Sequence, residues 1–229
     1  MTDVVIDIEA AARALEDTPP VDVLRWATGH IPRLAFATGF GAEGCVIIDL
    51  IAREQLPIEI FTLDTGVLFP ETYALWKALE TKYGITIRAV PPVETIEKLW
   101  ETDADRCCDL RKVQPLRAAL AGYGGWITAI RRDQTPDRAN AAVVEADTKF
   151  GLLKINPLVR WTHDDVWGHL FAHDVPTNPL HQRGYPSIGC QPCTSPIVPG
   201  ENLRAGRWRG AQKTECGLHS PAQLKVDAK

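Results

Sequence analysis

The sequence predicts an α/β protein whose mostly parallel sheet is flanked by helices. Short apolar runs recur between residues 34 and 130: Leu34–Thr38, Ile58–Thr62, Ile85–Val90 and Gly125–Ile130. Helix-period stretches separate them. Two of the runs end in glycine-bearing turns, Gly39-Phe-Gly-Ala-Glu-Gly44 and Leu63-Asp-Thr-Gly66. Strands that alternate with helices pack as a sheet with both faces covered.

Each element has a local reason. Residues 4 to about 29 carry apolar positions at Val5, Ile8, Ala12 and Leu15 with helical spacing. Thr18-Pro-Pro20 breaks the pattern, and Val21–Ala27 resumes it. The first strand feeds an apolar helix from Cys45 to Arg53. The second is followed by Glu71–Tyr83, opened after Pro70, and Val113–Leu120 reads as a helix before the fourth strand. From about Lys154 the alternation stops. Thr162 then caps a helix reaching about Ala172, with Asp165 at the capping-box position. Val175 to Gly200 is rich in Gly, Pro and Ser. So long a loop in a folded domain calls for a function or an external staple.

Composition narrows the function classes. A chain of 229 residues holds one domain with a substantial core, and its 45% hydrophobic and 24% charged fractions are ordinary for a soluble globular protein. A net charge of −4 supplies no basic field, so nucleic acid is not an expected partner. No apolar run approaches a membrane span: Val46-Ile-Ile48 is followed at once by Asp49. The N-terminus lacks a basic, signal-like segment, so the expectation is a cytoplasmic protein with reduced thiols.

In an open parallel sheet, ligands bind beyond the carboxyl ends of the strands. Three polar stretches fall there. Thr38, Gly39 and Gly41 join a strand to a helix N-terminus, where free N–H groups favour phosphate or sulfate. This loop is neither a Walker loop nor G-x-G-x-x-G. Asp64, Thr65 and Gly66 form the second stretch, which also suits a plain strand-ending turn. Arg131-Arg-Asp-Gln134 is the third.

Cysteines dominate what remains. Cys107 and Cys108 are adjacent, and Cys190 and Cys193 form a C-x-x-C. Soft thiolates select zinc or an iron–sulfur cluster. An adjacent pair is awkward for a zinc knuckle, and a larger cubane is the alternative. Plain buried thiols are the bland reading, which Cys45 fits well. Cys216 follows Arg204, Arg207, Arg209 and Lys213 and precedes His219. Nearby cations favour a thiolate, so Cys216 is a candidate nucleophile, unless it sits incidentally in a solvated basic tail.

Several ordered motifs carry a resemblance across about Thr38 to His219. They include Gly41-Ala-Glu43, Leu63-Asp-Thr-Gly66, Cys107-Cys-x-x-Arg-Lys112, Asn156-Pro-Leu158, Ser187-Ile-Gly-Cys-x-Pro-Cys-Thr194, Arg204-Ala-Gly-Arg-Trp208 and Lys213-Thr-Glu-Cys-Gly-Leu-His219. Together they resemble the assimilatory sulfonucleotide reductases, specifically the cluster-containing adenylyl-sulfate reductases.

The resemblance implies an adenine nucleotide α-hydrolase-like fold, with a [4Fe–4S] cluster on Cys107, Cys108, Cys190 and Cys193. It implies substrate contacts at Lys112, Arg138, Arg204, Arg207 and His219. It also implies attack by Cys216 on the sulfate sulfur of adenylyl sulfate, giving an S-sulfocysteine. Thioredoxin or a glutaredoxin-like reductant would then release sulfite, as in sulfate assimilation and cysteine biosynthesis. The expected organisation is a single domain over 1–229. Its parts are a helical cap (1–30), a nucleotide-binding core (31–160), a helix with the cluster loop (161–200) and a catalytic tail (201–229).

Other readings stay open at this point. A reductase of the 3′-phosphorylated nucleotide (PAPS), or one using both, would need to hold the extra phosphate. An ATP-pyrophosphatase-type enzyme is expected to carry Ser-Gly-Gly-x-Asp-Ser, which this chain lacks. A non-catalytic, zinc-stapled nucleotide sensor is the remote alternative.

Overall fold

A computed structural model describes residues 6–211, 213 and 215–218. Two helices come first. α1 (Ile8–Leu15) is capped by Asp7, whose carboxylate accepts from the Ala10 N–H at 2.9 Å. α2 (Pro20–His30) starts on the proline that ended the first pattern, because proline lacks only an N–H that a first turn leaves unpaired.

Six strands follow: β1 (Leu34–Thr38), β2 (Ile58–Leu63), β3 (Arg88–Val90), β4 (Gly125–Ile127), β5 (Val144–Asp147) and β6 (Leu152–Ile155). Their order is β3-β2-β1-β4-β6-β5, and every pairing is parallel except the antiparallel β5–β6 edge. Alternate side chains divide between the faces. Leu34, Phe36, Ile58 and Ile60 join the larger core with α2, α3 (Ala42–Arg53), α4 (Pro70–Tyr83) and α8 (His163–Ala172). Ala35, Phe61 and Trp126 face the smaller core, packed against Leu116 of α7 (Gln114–Ala119).

Among the described residues the predicted elements before residue 130 are present, with three differences, and Val5 lies outside the described residues. The third strand shortens to Arg88–Val90. Ile87 upstream is buried, and its N–H is taken by Glu80 Oε1 at 2.8 Å rather than by the sheet. The fourth strand stops at Ile127, where the Thr128 hydroxyl donates to Asn156 Oδ1 at 2.5 Å. The helix expected from Val113 extends back through a π turn, Asp109–Val113, into α6 (Ala104–Cys108), just after the short α5 (Leu99–Thr102).

Beyond 130, the sequence reading named no strand, yet β5 and β6 form there, and β6, which holds Lys154, is the last strand among the described residues. Lys154 pairs across the strands with Glu145 Oε1 of β5 at 2.6 Å. The capping box at Thr162 is present: its hydroxyl accepts from the Asp165 N–H at 3.1 Å, and Asp165 accepts from the Thr162 N–H at 2.8 Å. Cys45 is fully buried on α3, and burial pushes its thiol up to about 12. No helix among the described residues is long and apolar enough to cross a membrane.

This strand order fixes where a ligand can sit. The chain steps from β1 outward to β2 and β3, then crosses back to β4 on the other side of β1. The two connections diverge at the carboxyl ends of β1 and β4, and that divergence opens a crevice.

Candidate functional site

The crevice is a cleft of about 530 Å³, lined by Thr38, Gly39 and Gly41 after β1 and by Ala129–Arg131 after β4. Phe40 turns the chain with φ at 59°, and its N–H donates to Thr38 Oγ1 at 3.1 Å. No side chain caps α3 at Gly41, so the first amides of the helix remain available to an anion. Glu43 would oppose such an anion. Its Oε1 is instead held by Arg131 Nε at 3.0 Å and Gln134 Nε2 at 2.9 Å. Arg131, 4% exposed, also grips Asp133 at 2.5 Å. α8 supplies His163, Trp167 and Phe171 to the far wall.

The other end of the cleft is cationic. Arg138, Arg204 and Arg207 line it together with Ser187. Ser187 Oγ accepts from Arg207 Nη1 at 3.3 Å and from Arg204 Nη1 at 3.5 Å. Burial pushes the Arg207 and Arg138 guanidinium groups below their usual range. Two glycines make this packing possible. A Cβ on Gly189 would lie 2.3 Å from the Arg207 guanidinium, and one on Gly206 would lie 2.0 Å from the Ser195 carbonyl oxygen. The Arg204–Trp208 segment is thereby laid against the cysteine loop. Ser195 N–H donates to Gly206 O at 2.9 Å and Trp208 N–H to Cys193 O at 2.9 Å.

Beside this end, Cys107, Cys108, Cys190 and Cys193 line one pocket with Arg111, Lys112 and Trp208. The first pair comes from α6 and the second from the 3₁₀ turn Gln191–Cys193 and its cap. The π turn widens the helix where Arg111 and Lys112 follow the cysteines, so both side chains reach the pocket. Arg111 donates to Thr65 O at 2.5 Å and also bonds Cys107. Lys112 bonds Cys190, whose sulfur lies 3.4 Å from Thr65 Oγ1.

Burial raises Cys108 to about 12 and also raises Cys107 and Cys193. Cys190 differs. Burial raises it too, but Lys112 and Thr65 outweigh that and hold it below the ordinary thiol value. Burial alone would lower Lys112, and the Cys190 and Cys216 sulfurs reverse the sign. Among the described residues, no three His, Cys, Asp or Glu side chains are placed to hold a single metal ion.

Cys216 is half-buried and lies within electrostatic reach of Lys112, Arg207 and Arg138. Its neighbours secure it. Glu215 bridges Arg138 Nη2 at 2.8 Å and Arg204 Nη2 at 3.1 Å. The Gly217 carbonyl accepts from Lys149 Nζ, and Leu218 packs on the smaller core.

The sequence-predicted residues therefore divide. Thr38, Gly39, Gly41, Arg138, Arg204 and Arg207 meet in the cleft, while Lys112 stands between the cysteine pocket and Cys216. Asp64, Thr65 and Gly66 do not line the cleft. Asp64 Oδ1 closes a turn, accepting from the Gly66 N–H at 3.0 Å and from the Tyr73 hydroxyl at 2.7 Å, and Thr65 serves the cysteine pocket. His219 lies outside the described residues. The sequence reading assigned no task to Glu43, Lys149, Ser187 or Glu215. Glu43, Ser187 and Glu215 each stood inside a motif that carried the resemblance, without a task, whereas Lys149 stood in none.

The phosphoadenosine phosphosulfate reductase domain model matches residues 33–196. The chain belongs to that family. Among its relatives is the adenosine 5′-phosphosulfate reductase of Bacillus velezensis, 46% identical over 209 residues, which cover 87% of this chain and 90% of the other. Adenosine 5′-phosphosulfate reductase 1 of Bacillus subtilis is 46% identical over 217 residues, covering 89% and 93%.

A solved phosphoadenylyl-sulfate reductase from Candida auris, in a phosphate complex, superposes with a TM-score of 0.76 at 30% identity, covering 85% of this chain and all of that one. Candida glabrata FMN adenylyltransferase shares the fold alone, with a TM-score of 0.59 at 14% identity over 93% and 78% of the two chains. The sulfonucleotide reductase family expected from the motifs is thus the one found, and so is the adenine nucleotide α-hydrolase-like fold.

Proposed function

We propose that this chain is an adenylyl-sulfate reductase that forms sulfite and AMP in sulfate assimilation. One observation carries the reading: a half-buried thiol, Cys216, set among Lys112, Arg138 and Arg207 at the cationic end of an anion-binding cleft. The relatives at 46% identity are adenosine 5′-phosphosulfate reductases, which favours the nucleotide without a 3′-phosphate.

The chemistry follows from charge. A sulfate sulfur is ringed by anionic oxygens, and a thiolate cannot approach it unaided. Lys112 and the arginines lower that repulsion and stabilise charge moving onto the departing phosphate. The Cys216 thiolate attacks sulfur, the sulfur–oxygen bond to phosphate breaks, and AMP leaves with the electron pair. The product is an S-sulfocysteine on Cys216. A dithiol of the thioredoxin or glutaredoxin type then attacks Cys216 Sγ, and sulfite departs with the S–S bonding pair. The second thiol of the dithiol resolves the mixed disulfide, so the dithiol is oxidised by two electrons and sulfur is reduced by two.

Cys107, Cys108, Cys190 and Cys193 fit a four-iron cluster in donor chemistry and in placement around one pocket. Four thiolate donors that include a directly adjacent pair would suit a cubane better than a zinc knuckle. Such a cluster would add negative charge beside Lys112 and staple the 175–200 loop to α6. We place the protein in the cytoplasm, where such thiols stay reduced.

Cys216→Ser should abolish sulfite formation from adenylyl sulfate and thioredoxin under anaerobic conditions, with AMP affinity and iron content unchanged. Undiminished turnover by that variant would sink the proposal. The 30% identical phosphoadenylyl-sulfate reductase gives the second reading its support, and the ratio of turnover with the two nucleotides decides between them.

A further inference from the structure

We propose that Glu215 is a placeholder anion. It holds Arg138 and Arg204 and is displaced from them by the anionic end of the nucleotide. The proposal rests on the reading above that the cleft binds an adenine nucleotide, and it adds a positioning residue that couples substrate arrival to the tail.

The geometry points to this role. Both Glu215 oxygens are engaged, Oε1 by Arg138 Nη2 at 2.8 Å and Oε2 by Arg204 Nη2 at 3.1 Å, and the side chain is only 9% exposed. Arg138 Nη1 is committed to Gln134 Oε1 at 2.5 Å, and Arg204 Nη1 reaches Ser187 Oγ at 3.5 Å. A guanidinium fork takes a carboxylate and a phosphate or sulfate with the same donors. Both arginines line the cleft, so an incoming nucleotide anion meets donors that Glu215 already holds. Like charges repel strongly in so buried a place, and one of the two anions must give way.

Release need not unseat the tail. Gly217 O stays on Lys149 Nζ, and Leu218 stays on the smaller core, so Cys216 remains tethered from its C-terminal side. The residue immediately before the nucleophile is thus the one that moves. The sequence offers no other acidic residue between Glu201 and Cys216 to take its place.

Equilibrium binding of AMP and of adenosine to the holoenzyme tests the idea, because adenosine lacks the competing anion. Glu215→Gln should bind AMP about 5- to 10-fold more tightly than the wild type and adenosine equally well. Glu215→Asp, which keeps the charge but shortens the reach, should fall between them for AMP and decides the matter if the glutamine variant does not fold. Weaker or unchanged AMP binding by these variants overturns the proposal, as does equal tightening of AMP and adenosine, which would mark a general structural effect. If the wild type binds no AMP at all, the functional reading fails and this inference fails with it. AMP binding that is indifferent to residue 215 removes the inference alone.

Discussion

The cleft and the cysteine pocket adjoin each other, yet they are built in opposite ways. The cleft is framed by the ends of β1 and β4, and its anion-facing amides open α3 within the same βα unit. Those groups are held by elements that the sheet fixes, although the cationic end, with Ser187, Arg204 and Arg207, rests on the cysteine loop. The pocket gathers residues from about 65, 107 and 190, and none of the four cysteines belongs to a strand. Its loop hangs on a few bonds, among them Gln191 N–H to Val67 O at 2.8 Å and the isolated bridge Leu68–Cys190. A site on a sheet is preorganised by the core, whereas one on loops depends on what it binds.

The largest effect should come from breaking the pocket. Cys190→Ser removes the sulfur that both Lys112 and Thr65 contact. If the loop relies on its metal, iron should drop well below four per chain, turnover should fall by about 100-fold or more, and proteolysis should open the 175–200 loop. AMP affinity should fall less, by about 10-fold or under, since the sheet keeps the β1 and β4 ends in place while Arg204 and Arg207 loosen with the loop. Iron analysis beside a binding titration reads both halves, and a matched collapse of AMP binding would show that the two regions are one.

Arg131→Ala attacks the cleft alone. Arg131 is 4% exposed and neutralises Glu43, itself 20% exposed, at the mouth of the anion site. Its loss leaves a carboxylate facing the nucleotide anion. AMP should bind at least about 10-fold more weakly, and stability should fall by about 2 kcal/mol, discounted because the second partner, Asp133, is half exposed. Iron content should stay full. Adding Glu43→Ala should restore part of the AMP affinity, because the repelling charge goes too.

The same contrast explains what the sequence could convey. The β1–α3 and β2–α4 units announced themselves through local rules: an apolar run, a glycine turn, Pro70 at a helix start. β5 and β6 did not. Val144-Glu-Ala-Asp147 is an edge strand bearing charge, and Leu152–Ile155 is recognisable only through its partners β4 and β5, with Lys154 buried against Glu145. Cleft residues at strand ends could be located from the fold class. Asp64–Gly66 also stood at a strand end, yet the turn faces the pocket, because only the assembled sheet decides which strand ends share the crevice. Glu215 was illegible for a plainer reason. Its partner Arg138 is 77 residues away, and no pattern in the tail distinguishes a carboxylate that is held from one that is solvated.

The mildest test concerns how the cleft's far wall is braced. Asp49 on α3 is 1% exposed and accepts from Tyr83 OH of α4 at 2.8 Å, and its other oxygen lies 2.8 Å from His169 Nε2 of α8. Burial pushes its carboxyl up, but the His169 and Tyr83 hydrogen bonds outweigh this, and the net position is below the ordinary value. A carboxyl depressed on folding contributes stability that is complete above its unfolded value, near pH 4, and is lost as pH falls through the lower folded one.

Asp49→Asn should therefore cost about 1–2 kcal/mol at neutral pH, and the difference from wild type should shrink toward pH 3. Thermal melts across that range check the sign. Because α8 carries Trp167 and Phe171 to the cleft, the variant should loosen AMP binding by about two- to threefold and leave iron untouched. An iron loss equal to that of Cys190→Ser would place this brace under the pocket as well, and the division between a sheet-held cleft and a loop-held pocket would no longer stand.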